Sequence, residues 1–216
     1  MKSNRYKTSH LPEDQYEQGS RERVLKNLLG IRSQRAMDQA ERKALEKAED
    51  AFFKTYDRVH QFTAADICQM HKMWLGRIYG WAGSYREVKI GKGGLEFAFP
   101  EQIPKLMKEL ERGPLSRHTP CRFSSPEEVI KALAEVHVEL VLIHPFREGN
   151  GRLARILATL MALQADLPPL DFRLIKGKKK QEYFAAVRAG LLDENYKPME
   201  KVFGEVLEKT LKASST

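Results

Sequence analysis

Apolar residues recur at helical spacing along most of the chain, and the breaks between these runs carry clear start and stop signals. Residues 1–18 are polar and include Pro12, with Gly19 next, which reads as an extended N-terminal arm ahead of one domain spanning 19–216. Ser20 can cap a short helix carrying Val24, Leu25, Leu28 and Leu29 that stops at Gly30. From Ser33 to about Arg58 the strong helix formers Ala, Glu, Lys, Arg and Gln dominate. Glu41, Leu45 and Glu49 fall four apart there, and the segment reads as a partly exposed helix ending in Phe52, Phe53 and Tyr56. Thr63 with Asp66 forms a capping box for a helix whose face is Ile67, Met70, Met73, Trp74 and Tyr79, ended by Gly80 and Gly83. The period then changes. Arg86–Ile90 alternates, a glycine-rich stretch follows, and Leu95–Phe99 alternates again before Pro100, which predicts a β-hairpin over about 86–99. A helix near 101–111 leads to a loop containing Gly113, Pro114 and Pro120. Ser125-Pro126-Glu127-Glu128 starts an apolar helix (Val129, Leu133, Val136, Leu140, Ile143) that Pro145 ends. Further helices are expected from 150 to about 165, at 179–191 and at 197–212. The predicted class is all-α with one β-hairpin.

Composition narrows this picture only in part. At 216 residues the chain is one domain or one domain with a small appendage. Two cysteines and no C-x-x-C spacing argue against a disulfide framework or a zinc ribbon. The formal net charge of +8 admits a polyanionic partner without selecting one. Met1–Gln18 has no apolar core and so does not read as a signal peptide. Leu140–Ile143, the longest apolar stretch near the centre, is far short of the ~20 residues a bilayer requires. A soluble, cytoplasmic protein is the expectation, with no membrane partner.

The chemistry concentrates in His144-Pro145-Phe146-Arg147-Glu148-Gly149-Asn150-Gly151-Arg152, followed by Arg155, between two apolar helices. Gly149 and Gly151 allow backbone conformations closed to other residues, so successive amides can converge on an anion. The loop opens a helix, which adds free N–H groups and the positive end of its dipole. Arg152 and Arg155, three apart, share a face, and Asn150 adds a neutral donor. These features describe a polyphosphate site. Glu148 repels phosphate unless a cation lies between, and Mg²⁺ is the natural choice. His144 is placed to abstract a proton from a hydroxyl. Taken singly, each feature has a plainer reading as a cap, a core residue or a solvated face.

The nine residues from His144 to Arg152 resemble the signature of Fic-domain proteins, His-x-Phe-x-Asp/Glu-Gly-Asn-Gly-Arg, with every position filled. Trp81-Ala82-Gly83-Ser84-Tyr85-Arg86 looks like the segment before the Fic flap, and Phe97 with Pro100 looks like its exit. The resemblance in layout covers about 20–200, with a core of 63–200. It implies transfer of AMP from ATP to a Ser, Thr or Tyr hydroxyl of a target protein. His144 would be the base, Glu148 would hold Mg²⁺, and Phe146 would be a buried anchor. Asn150, Arg152 and the amides of Gly149 and Gly151 would hold the phosphates, with Arg147 counted among the nucleotide-binding residues. Arg155 would fix the γ-phosphate, and Tyr183 beside Phe184 would flank the adenine. Lys89, Ile90, Gly91 and Lys92 of the hairpin would dock the target by strand addition. Relatives with Lys at the position of Gly151 look like phosphotransferases, so Gly favours nucleotidyl transfer.

Many similar proteins restrain themselves with Ser/Thr-x-x-x-Glu-Gly/Asn. Ser9-x-x-x-Glu13 contains Pro12 and is followed by Asp14, and Ser124-x-x-x-Glu128 is followed by Val129, so neither matches. The expectation is a toxin-type chain restrained by a small antitoxin-like partner. The rivals are another transferred group, or a basic nucleic-acid-binding module. The intact motif argues against the second, so no nucleic acid is expected. His137, His144 and Glu148 lack the spacing of a zinc helix, and Lys176 with Lys178–Lys180 reads as a solvated helix start.

Overall fold

Eight helices and one very short hairpin account for the regular structure that the computed structural model describes, over residues 10–92 and 95–214. α1 (Gln34–Thr55) and α2 (Ala64–Leu75) pack as a pair. α3 (Ile103–Leu110) runs through a π turn and one further turn, α4 (Ser116–His118). α5 (Pro126–Ile143) is central and packs against α3, α6 (Asn150–Gln164), α7 (Lys178–Asp193) and α8 (Lys197–Ser214). This matches the all-α class expected. No helix among the described residues is long and apolar enough to cross a membrane.

Local signals explain the helix starts. The Thr63 hydroxyl accepts the Asp66 N–H at 3.1 Å and the Asp66 carboxylate accepts the Thr63 N–H at 2.8 Å, a complete capping box. Ser125 accepts the Glu128 N–H at 3.2 Å ahead of Pro126, as the sequence predicts.

Three segments depart from their expected form. Residues 20–30 are not helical: Tyr16 bridges Leu25, and the Glu17 N–H donates to the Val24 carbonyl at 2.9 Å. Arg21 and Glu22 are left-handed, and the Asn27 side chain holds the N–H groups of Leu29 and Ile31, so tertiary pairing and Asx turns replace the helix ladder. α2 stops at Leu75, before Ile78 and Tyr79. Both of their N–H groups turn back to the Leu75 carbonyl, and the Ile78 carbonyl receives the Leu28 N–H at 2.8 Å. The hairpin is paired only over β1 (Gly91–Lys92) and β2 (Leu95–Glu96), in the register Gly91–Glu96 and Lys92–Leu95. Its expected tip, Gly93 and Gly94, lies outside the described residues, as do residues 1–9 of the expected arm. Of that arm, Pro12–Asp14 forms a 3-10 turn with Glu13 buried, so residues 10–18 pack on the domain.

Candidate active site

The loop from His144 to Gly149 is locked from within. Phe146 is fully buried, and its ring stacks on His71 with centroids 3.9 Å apart and planes at 10°. The Asn150 side chain closes the turn: its Oδ1 accepts the Phe146 N–H at 2.9 Å, and its Nδ2 donates to the Phe146 carbonyl at 2.7 Å. His71 receives the Gly83 N–H on Nδ1 at 2.8 Å, so its Nε2 donates to the Glu148 carbonyl at 3.0 Å. Burial above all pulls its pKa down to about 4, and the neutral ring is the one that satisfies both bonds. Gly149 has φ +85°, and a Cβ there would lie 2.7 Å from Cζ3 of Trp74, so both conformation and space require glycine. Gly151 is different: it sits in the first turn of α6 without positive φ, and a Cβ on it would meet nothing within 4 Å.

His144 ends α5 in the left-handed conformation (φ 51°, ψ 58°), a state that costs a non-glycine residue roughly 1 kcal/mol or more. The bend turns its ring into the site. Nδ1 lies 3.0 Å from the Val141 carbonyl, which can only accept, so Nδ1 carries a proton and Nε2 is the basic nitrogen of the neutral ring. Phe97, from the exit leg of the hairpin, stacks on the imidazole at 3.6 Å.

The start of α6 presents donors that could hold an anion. The amide N–H groups of Asn150 and Gly151 have no acceptor among the described residues, and Gly149 gives no side-chain cap. Arg152 lies with its guanidinium 4.7 Å over the Trp74 ring, 2.7 Å from the Glu41 carboxylate and 3.2 Å from that of Glu148. Glu41 is buried, and it also accepts the Tyr79 hydroxyl at 2.7 Å. Burial and this carboxylate hold the Tyr79 hydroxyl pKa well above the ordinary value. No carboxylate among the described residues pairs with Arg155. Burial, with Arg152 adding like charge, pulls its pKa below the usual arginine value, which favours an anion beside it.

Several expected residues do other work. The Asn150 side chain is spent on the loop, and only its backbone N–H faces the anion site. Arg147 points away: its Nε donates to the Glu13 carbonyl at 3.0 Å, and its NH2 is 3.9 Å from the Asp14 carboxylate. Tyr183 is buried, its hydroxyl 2.8 Å from Nε2 of His137, so it is a core partner of that ring rather than an exposed stacking surface. Lys89 lies 4.6 Å over the Phe99 ring beside the partly exposed Ile90 and exposed Gly91; the Lys92 side chain lies outside the described residues. Glu41, His71, Arg86 and Glu13 had no part in the site as read from the sequence. Glu41 does fall four residues from the buried Met37 on the inward face of α1, and a charge in that register was the available signal.

No group of three or more His, Cys, Asp or Glu that could hold a metal occurs among the described residues. The half-exposed Glu148 carboxylate has a second oxygen without a hydrogen bond among the described residues. One carboxylate suits Mg²⁺ only where phosphate and water oxygens complete the shell, and the neighbouring anion site fits that requirement.

Residues 61–162 match the Fic/DOC family. The chain is 29% identical over 153 residues to Protein adenylyltransferase Fic of Drosophila ananassae, a match covering 70% of this chain and 29% of that protein. The chain thus spans less than a third of that curated relative. Among solved structures, BepC of Bartonella tribocorum with bound AMPPNP superposes with TM-score 0.71 at 24% identity, covering 91% of this chain and 97% of that one. The N-terminal Fic domain of a Bep effector from Bartonella sp. AR 15-3 gives TM-score 0.75 at 20% identity, covering 93% and 94%.

Proposed function

The chain carries a Fic domain, and we propose that it transfers AMP from ATP to a Ser, Thr or Tyr hydroxyl of another protein. The observation that carries this reading is the Nδ1-protonated tautomer of His144, set by the Val141 carbonyl, beside a helix N-terminus and two arginines. The target hydroxyl gives its proton to Nε2 of His144 while its oxygen attacks the α-phosphorus. The bond from that phosphorus to the bridging oxygen of the β-phosphate breaks, and pyrophosphate leaves. The Asn150 and Gly151 amides, Arg152 and Arg155 hold the phosphates and offset the charge on the leaving group. Glu148 would hold Mg²⁺, which when bound neutralises phosphate oxygens. The hairpin would receive the target segment by strand addition, although only two residue pairs form its own ladder.

Restraint by a separate antitoxin-like partner is supported by where the two motif-like glutamates go. Glu13 is held by the Glu87 and Val88 N–H groups, and Glu128 lies against Ser125, so neither covers Arg155. ATP as substrate and two free cysteines fit a cytoplasmic setting. The test is incubation with α-phosphate-labelled ATP, Mg²⁺ and a cell lysate, comparing wild type with His144→Ala. Label, with the mass of AMP, should appear on protein only with wild type. Equal labelling by the variant refutes the assignment of His144. Strong inhibition of the isolated wild-type chain argues against a partner in trans.

A further inference from the structure

Arg86 is the largest buried charge near the loop, at 1% exposure, and no carboxylate pairs with it among the described residues. All of its side-chain hydrogen bonds go to backbone carbonyls. Nε donates to His144 at 2.7 Å, NH1 to Val88 at 2.7 Å, and NH2 to Ala98 at 2.7 Å and Ile143 at 3.4 Å. Those four carbonyls come from three places: the C-terminal end of α5, the entry leg of the hairpin and its exit leg. The Arg86 backbone N–H adds a bond to the Pro145 carbonyl at 2.8 Å.

The cation is therefore offset by the negative end of the α5 dipole, by the hairpin backbone and by the charge of the nearby Glu13 carboxylate. Burial lowers its pKa to about 10, so it stays charged near neutral pH. On the far side of the entry leg, the Glu13 carboxylate accepts the N–H groups of Glu87 at 2.6 Å and Val88 at 3.1 Å. On the exit leg, Phe97 precedes Ala98 and stacks on the His144 ring. One guanidinium thus fixes the left-handed peptide of His144 and both legs of the hairpin in a single register.

We infer that Arg86 is a positioning residue that couples the target-docking hairpin to the catalytic imidazole. This rests on the proposed roles of His144 and the hairpin, and adds that the distance between docked target and base is set by this side chain. Lysine keeps the charge but presents its donors from one point, and cannot span carbonyls on three segments.

The experiment is made on the full chain. Arg86→Lys should label lysate proteins about 100-fold more slowly, since misplacement by about 1 Å costs that much. Its affinity for a non-hydrolysable ATP analogue with Mg²⁺, read by calorimetry, should stay within about twofold, because no Arg86 contact reaches the α6 start. Nitrogen NMR of the histidines, with His144 assigned by its loss in His144→Ala, should show the Nδ1–H tautomer in wild type and a mixture in Arg86→Lys. Wild-type labelling rates with an unchanged His144 spectrum overturn the inference. Should Arg86→Lys fail to fold, the wild-type chain still decides. Its Arg86 Nε–H resonance should be protected from exchange and shift as His144 titrates, and a freely exchanging or unresponsive resonance overturns the coupling. Undiminished labelling by His144→Ala would instead sink the proposed function and leave the Arg86–His144 coupling to be judged by NMR.

Discussion

Glu41→Ala removes the buried carboxylate that ties α1 to the phosphate loop. Two partners lose an acceptor: the Tyr79 hydroxyl at 2.7 Å and Arg152 at 2.7 Å. A buried hydroxyl left without a partner costs about 1–3 kcal/mol. Breaking a fully buried ion pair costs about 3–5 kcal/mol, but Arg152 is 30% exposed and keeps Glu148 and the Trp74 face, so its share is nearer 1 kcal/mol. The sum is about 2–4 kcal/mol, or a melting temperature lower by about 4–16 °C for a chain of this size. The functional effect runs through Glu148. Freed from Glu41, Arg152 turns to the carboxylate assigned to Mg²⁺, and affinity for an ATP analogue with Mg²⁺ should fall about tenfold, or about 1.4 kcal/mol. Urea unfolding followed by tryptophan fluorescence measures the first effect, with Trp74 as a reporter in contact with the site, and calorimetry measures the second. A stability within about 0.5 kcal/mol of wild type would refute the packing argument. A lower stability with unchanged nucleotide affinity would refute the claim that Glu41 governs Arg152.

Two further predictions concern Gly149 and the buried histidines His71 and His137. Gly149→Ala meets the Trp74 ring and a left-handed backbone, and should cost about 2–5 kcal/mol by urea unfolding; a loss under about 1 kcal/mol would mean the loop relaxes freely. Stability should fall on acidification below about pH 6.5, because unfolded histidine binds a proton there while His71 resists until about 4 and His137 until about 3. Each contributes a slope of up to about 1.4 kcal/mol per pH unit, present as stability above that range and lost as pH falls through it; replacing His71 by Gln should flatten the profile between pH 6.5 and 4.

Where local chemistry decides the outcome, the sequence was sufficient. Thr63 with Asp66 and Ser125 with Pro126 start helices through bonds within one turn, and the loop from His144 to Gly149 is closed by the Asn150 side chain at the start of α6. Phe146 was expected as an anchor only through the resemblance to the Fic signature, and it is fully buried. What could not be read depends on distant partners. The helix expected at 20–30 gives way to pairing with residues 15–17. The alternation of 86–90 predicts a strand, yet the carbonyls of Val88 and Ala98 go to the Arg86 side chain. Arg147 was counted among the nucleotide-binding residues, and only the packed N-terminal turn shows that it faces the other way.

The division of labour between motif and surroundings bears on how such a site can be altered. The matched residues, 61–162, include the proposed base His144, the loop and the two arginines proposed to hold phosphate, Arg152 and Arg155. Two arginines of the motif are nonetheless tethered by residues that precede that span: Arg147 by Glu13 and Asp14, and Arg152 by Glu41. The Glu13 carboxylate also holds the hairpin entry, so one short turn touches both the loop and the hairpin. A change in residues 10–41 can therefore shift the charge balance at Glu148 or the register of the hairpin without touching any motif residue. A chain cut back to its matched core would keep every motif side chain and still leave Arg152 with Glu148 as its remaining carboxylate. If Glu148 holds Mg²⁺ as proposed, the arginine and the cation would compete for one group in that arrangement, and removal of residues 10–41 should weaken the binding of an ATP analogue with Mg²⁺.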